Sequence, residues 1–305
     1  MSRLLRIGTR SSPLALWQAR YVQHRLGGPE VAELVLIETE GDRVRDRALS
    51  AIGGLGLFTK EIQQALLDRR VDVAVHSLKD LPTIPVPGLR LAAVPERAPL
   101  GDAFVSTRHA RFDDLPHGAR VATSSLRRRA QLLHRRPDLH IENIRGNVET
   151  RLRKLDEQGF DATILAEAGL RRLGLEQHIM EILDVNWMLP AVGQGALGLE
   201  CRADDEATLW ALARLNDPAT WHAVQAERAF LAALGGGCLV PIGALGQCDG
   251  NTLHLCGAVL PADGSQRQAG ELAGPIHEAQ ALGERLAALL LEQGAGALLG
   301  RPANS

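Results

Sequence analysis

The feature that most restricts the fold of this chain is an alternation. Short β-branched runs give way repeatedly to longer stretches with apolar residues at helical spacing. Strands are predicted over 4–9, 33–38, 71–76, 89–94, 103–106, 120–123, 140–144 and 162–166, and helices over 13–26, 59–69, 126–135, 148–157 and 206–215. That order is the pattern of parallel sheets covered by helices on both faces. A proline-rich break at 95–101 separates two similar series, which predicts two doubly wound α/β domains with a cleft between them. From about Pro218 the texture changes. A helix over 221–234, short strands over 242–245, 252–259 and 266–270, and a closing helix over 276–292 predict a smaller C-terminal α+β domain over 218–305. The expected boundaries of the first two are 1–95 and 101–190. The polar, glycine-rich stretch from Thr39 to Phe58 is long for a connection inside a compact domain and reads as a lid or a solvated loop.

Only Lys60, Lys79 and Lys154 are lysines, so almost all of the 34 basic residues are arginines. Three times a predicted strand runs into hydroxyls or arginines and then a helix: Thr9-Arg10-Ser11-Ser12-Pro13, Thr123-Ser124-Ser125-Leu126-Arg127-Arg128, and Arg145-Gly146-Asn147-Val148-Glu149-Thr150-Arg151. Ser12 before Pro13 is a good N-cap and first-turn pair, and Ser124 or Ser125 can cap the second helix. Cations in a first helical turn oppose the macrodipole by about 0.3–1 kcal/mol each. A bound anion reverses that sign, and these junctions lie at the carboxyl ends of strands, where open α/β sheets bind ligands. Without a Walker sequence, several carboxylates are a better match than a nucleoside triphosphate. The 36 acidic residues balance the basic ones and aromatics make up 3%, which argues against nucleic-acid binding.

His76-Ser77-Leu78-Lys79-Asp80-Leu81-Pro82 follows a hydrophobic run and places Lys79 and Asp80 at a strand end. A carboxylate in that arginine-rich setting suits stabilising a cationic intermediate or steering a proton. Leu234-Gly235-Gly236-Gly237-Cys238 puts a thiol on a loop that tolerates close backbone approach. Gly193, Gly195 and Gly198 spell GxGxxG, but a strand rather than a helix is expected after it, so it is not read as a dinucleotide turn. The cysteines, at 201, 238, 248 and 256, lack paired metal-ligand spacing, so no metal and no disulfide is expected. The first residues have no apolar stretch of signal-peptide length and no segment reads as a membrane span, so a cytoplasmic protein is expected.

These segments together resemble the porphobilinogen deaminase (hydroxymethylbilane synthase) family. The resemblance rests on Ile7 to Ala19, His76 to Pro82, Thr123 to Arg128, Arg145-Gly146-Asn147 with Thr150-Arg151-Leu152, Ala191 to Gly198, and Glu227-Arg228 leading to Cys238 and Pro241. It implies two domains like those of periplasmic binding proteins, a return of the chain to the first domain over 196–215, and a third domain bearing the cysteine. It also implies a transferase of tetrapyrrole and haem biosynthesis, usually monomeric, that condenses four porphobilinogens into linear hydroxymethylbilane with loss of ammonia and passes it to the next enzyme of the pathway. A dipyrromethane cofactor hangs by a thioether from the cysteine matching Cys238. By resemblance Asp80 is the catalytic aspartate, facing pyrrole N–H groups. Arg10, Ser12, Lys79, Thr123, Ser125, Arg127, Arg128, Arg145, Arg151 and Arg172 match positions that bind the acetate and propionate groups of cofactor and substrate. The chain departs from the family's pattern at Ala51 and Leu55, where the long loop usually carries lysines, and at Gly235, where a glutamate is common.

Overall fold

The computed structural model describes residues 4–39, 59–235 and 240–300. The expectations for Ala51, Leu55 and Cys238 therefore lie outside the described residues, as does most of the long loop. By its internal contacts the chain divides into two units, Met1–Ala98 with Ala196–Trp221 and Pro99–Gly195 with His222–Ser305.

The first unit holds one five-stranded sheet: β1 (Leu5–Thr9), β2 (Ala32–Leu36), β3 (Val73–Ser77), β4 (Leu89–Ala93) and β10 (Leu197–Arg202), in the order β2-β1-β3-β10-β4. Strand β1 pairs parallel with β2 and β3, whereas β10 pairs antiparallel with both β3 and β4. Helix α1 (Pro13–Leu26) contributes Ala19 and Val22 to the core on one face of the sheet, and α2 (Lys60–Leu67) contributes Ile62, Ala65 and Leu66 to a separate cluster with Val71, Ala74 and Leu89. Alternate residues of β3 enter the two cores, Val73 and Val75 the first and Ala74 the second, as period-2 alternation requires.

The second unit repeats that topology. Its sheet runs β7-β6-β8-β5-β9, from β5 (Asp102–Val105), β6 (Arg120–Ala122), β7 (His140–Glu142), β8 (Ala162–Ala166) and β9 (Glu181–Ile182). Here β6 pairs parallel with β7 and β8, and β5 antiparallel with β8 and β9. Both sheets are thus mixed, each with one reversed strand beside its third parallel strand, where the sequence pattern predicts parallel sheets. The reversed strand is in each case the one that enters after a chain crossing, so no local pattern marks its direction. Helices α3 (Leu126–Arg135), α4 (Val148–Glu157) and α5 (Glu167–Arg172) accompany this sheet.

Unit 1 also carries α6 (Glu206–Ala213), and α7 (Pro218–Ala233) follows. A smaller antiparallel sheet, β11 (Ile242–Asp249), β12 (Thr252–Val259) and β13 (Gln268–Pro275), packs with α8 (Ala279–Glu292) around Phe230, Leu253, Leu255, Leu282 and Leu286. The fold is therefore α/β, two mixed sheets with helices plus a smaller C-terminal α+β portion.

Candidate active site

In unit 1, parallel β1 and β3 bring their carboxyl ends to one sheet edge. Arg10 and Ser12 follow β1. Ser12 is extended and accepts the Ala15 N–H at 3.4 Å, while Pro13 opens the helix, so the cap predicted from sequence forms. Beyond β3 a single 3₁₀ turn, Leu78–Asp80, carries Lys79 and Asp80, both half-buried. The turn is anchored by the Leu78 N–H, which donates to the Ala196 carbonyl at 3.0 Å. The Asp80 carboxylate makes no hydrogen bond or ion pair among the described residues. A half-buried carboxylate with no internal partner has acceptor capacity to offer a ligand.

In unit 2, β6, β7 and β8 likewise end at one edge. Thr123 Oγ1 accepts the Ser125 N–H at 3.2 Å, and Ser125 caps α3 by accepting the Arg128 N–H at 3.4 Å. Ser124 instead donates to the Ile144 carbonyl at 2.7 Å and so ties the ends of β6 and β7 together. After β7, Arg145 is half-buried and has no hydrogen bond or ion pair among the described residues. Gly146 adopts φ +119, a region L side chains avoid, and Asn147 caps α4 through the Thr150 N–H at 2.8 Å. Arg151 Nε donates to the Gly146 carbonyl at 2.9 Å, and Arg172, at the end of α5, donates to the Gly195 carbonyl at 2.7 Å.

Arg127 and Arg128 depart from the sequence reading in one respect. Their first-turn charges already face an anion of the chain itself. Arg127 Nη1 lies 2.7 Å from Asp102 Oδ2, and Arg128 Nη2 and Nε lie 2.7 and 3.0 Å from Oδ1. Asp102 is fully buried at the start of β5 and was not singled out by the sequence, where an isolated aspartate before an apolar run carries no signal. Burial opposes its ionisation, but the two guanidiniums outweigh that and hold it well below the usual carboxylate range. Burial lowers the Arg127 pKa, with Asp102 acting against it and Arg128 with it.

Two guanidiniums around one carboxylate leave this buried cluster one positive charge in excess. Arg127 Nε is also buried without a hydrogen-bond partner. An orphaned donor and an uncompensated buried charge are both costly, and one carboxylate would relieve both. The donor set of this edge fits a polycarboxylate.

Among the remaining thiols, Cys201 is buried in β10 and burial pushes it up to about 12, while burial and nearby Glu271 raise Cys256. Neither environment favours a thiolate nucleophile. A cavity of about 670 Å³ in unit 2, lined by Ser106, Arg108, His109, Leu152 and His178 among others, includes none of the sequence-predicted site residues. Two of its cations are already paired, Arg108 with Asp161 and Arg153 with Glu157. Among the described residues no helix is long and apolar enough to cross a membrane, and no cluster of three or more His, Cys, Asp or Glu could hold a metal.

Fold and site define a two-unit α/β protein whose strand-end edges offer donors to acidic ligands and one open carboxylate. Residues 5–209 match the family described as porphobilinogen deaminase, dipyromethane cofactor binding domain, and residues 221–292 match porphobilinogen deaminase, C-terminal domain. A porphobilinogen deaminase of Pelobacter propionicus is 53% identical over 97% of this chain and 96% of its own length; one of Syntrophotalea carbinolica is 51% identical over 98% and 96%. The chain belongs to the porphobilinogen deaminase family, enzymes of tetrapyrrole synthesis, and its first 200 or so residues are the dipyrromethane-binding portion. A periplasmic substrate-binding protein from Coxiella burnetii is similar at 14% identity and a TM-score of 0.43, covering 72% of this chain and 94% of that one. That likeness is too distant to carry an argument, and the architecture rests on the strand orders above.

Proposed function

We propose that this chain condenses four porphobilinogen molecules, with loss of ammonia, into linear hydroxymethylbilane on a dipyrromethane held by a thioether at Cys238. In these terms it is a cytoplasmic, monomeric transferase that hands its product to the next tetrapyrrole enzyme. The observation that carries the reading is identity above half with porphobilinogen deaminases along nearly the whole chain. We propose the same three-part division, 1–95 with 196–215, 101–190 and 218–305, supported by separate cores around Ile7, Phe104 and Phe230.

When bound, the dipyrromethane supplies a pyrrole with a free α-carbon to act as nucleophile. The chain's part is to bind and to stabilise charge. Arg127 and Arg128, one positive charge in excess over Asp102, would take one carboxylate, with Ser125 and Thr123 beside them. Arg145, unpaired among the described residues, would take another, and Arg151 and Arg172 flank it on α4 and α5. Arg10, Ser12 and Lys79 offer the equivalent donors at the unit 1 edge. Bidentate guanidinium pairing suits the acetate and propionate groups that each added pyrrole brings. The Asp80 carboxylate, with no partner among the described residues, would accept from pyrrole N–H groups and stabilise positive charge developing on the nitrogens.

Intact-mass spectrometry of the purified chain is expected to show an increment of two pyrrole units that disappears in Cys238→Ser. Asp80→Asn is expected to keep the increment and lose turnover by a factor of at least about 100, the scale of a lost charge-stabilising group. Unmodified wild-type protein that cannot use porphobilinogen even when given a preformed primer would overturn the reading and favour a carboxylate-binding protein without chemistry.

A further inference from the structure

The turn that carries Asp80 is held from both faces of β3. Side chains of adjacent strand residues point to opposite faces. On one face, Ser77 Oγ accepts Gln18 Nε2 of α1 at 2.8 Å. On the other, His76 Nε2 meets Glu200 Oε2 of β10 at 3.1 Å, and Gln63 Nε2 of α2 donates to both Glu200 oxygens at 3.0 and 3.1 Å. His76, Glu200 and Gln63 are all buried, and among the described residues no lysine or arginine is paired with Glu200.

This set is expensive. A carboxylate taken out of water costs free energy that its hydrogen bonds recover only in part, and well-packed apolar residues of similar volume serve stability as well or better. What hydrogen bonds add is direction, because they fix angle as well as distance. Strand β10 and the residue just before it supply further restraints on the same turn. The Ala196 carbonyl takes the Leu78 N–H, and a Cβ at Gly198 would lie 2.9 Å from Leu78 Cδ1, so the strand and the turn meet in close contact. Among the described residues Asp80 itself has no side-chain partner, so its placement depends on the backbone that these contacts hold.

We propose that Glu200, acting through His76, is a positioning residue for the turn that presents Asp80. The inference rests on the reading of Asp80 given above. Glu200 need not touch substrate. Its contact with His76 ties β3 to β10 and α2 two residues before the turn begins at Leu78.

The test compares Glu200→Gln, His76→Gln and His76→Leu with the unaltered protein by hydrogen exchange of the segment 76–82, by thermal midpoint and by kcat and KM for porphobilinogen. Glu200→Gln is expected to exchange faster over 76–82 and to lose about tenfold in kcat with KM little changed, the scale of a small misplacement of a reacting group. His76→Gln, whose amide can still donate to Glu200, should keep most of kcat. His76→Leu should lose it even when both variants are assayed well below their own thermal midpoints, a split that a merely structural role would not produce. Unchanged exchange over 76–82 together with wild-type kcat in Glu200→Gln would overturn the proposal, as would equal kcat in the two His76 variants. If Glu200→Gln does not fold, the His76 pair decides. Normal turnover in Asp80→Asn would count against the reading of Asp80, and the exchange result alone would then decide this inference.

Discussion

Replacing Asp102 with asparagine removes the one charge shared by Arg127 and Arg128 and leaves two buried guanidiniums facing each other. Breaking a buried pair on one side costs about 3–5 kcal/mol, so Asp102→Asn should lower the thermal midpoint by many degrees, measurable by calorimetry. A second residue-scale expectation concerns Cys201. Its buried thiol, pushed up to about 12, should resist alkylation in the native protein at neutral pH and react only after unfolding. Labelling followed by peptide mapping checks this, and modification of Cys201 at the rate of a free thiol would contradict it. At this scale the sequence is informative where the signal is local. Thr123, Ser125, Arg127 and Arg128 stand together and are legible as a cluster. Asp102 lies 25 residues from Arg127, and Glu200 lies 124 from His76. Only the folded sheet brings them together, so no spacing announces them.

Helix ends were legible because their caps are local chemistry. Helix α1 runs from Pro13 to Leu26 as predicted, with Ser12 before it and Gly27 at φ +121 after it. Helices α3 and α4 also keep their predicted bounds, capped by Ser125 and Asn147. Strand β13 did not. It runs from Gln268 to Pro275, beyond the predicted 266–270, through alternating small residues with little β-branched content. Helix α5, six residues long, gives too few turns for a periodic signal and was not predicted. One prediction belongs to an element contact. Gly283 in α8 would ordinarily gain about 1 kcal/mol of helix propensity on mutation to alanine. Its Cβ, however, would fall within contact distance of the α7 backbone, 2.8 Å from the Phe230 nitrogen and closer still to the Ala226 carbonyl oxygen. Overpacking against backbone costs about 1–3 kcal/mol or more, which outweighs the gain. Gly283→Ala should therefore lose stability in urea unfolding.

For the molecule as a whole, the acid limb of stability follows from its buried carboxylates. Burial opposes ionisation of Asp72, yet Arg6 and Arg202 hold it, like Asp102, well below the ordinary value of 3.8. A depressed folded-state pKa means that the contribution is complete above that value and fades as the pH falls below it, when the unfolded chain takes up protons that the folded one refuses. Urea unfolding from pH 6 down to pH 2 should thus show stability falling chiefly below about pH 4, with a shallower fall in Asp72→Asn. The alternation of strands and helices made both α/β units legible in the sequence, and the strand orders show why their topology was not. Strand β10 lies between β3 and β4 although more than 100 residues separate it from either. On the ribosome, then, the amino-terminal half must wait with a gap in its middle. The turn that carries Asp80 can find its anchor at Ala196 only after the whole of the second sheet has been translated, so that portion of the nascent chain should stay sensitive to protease until residues near 202 have left the exit tunnel.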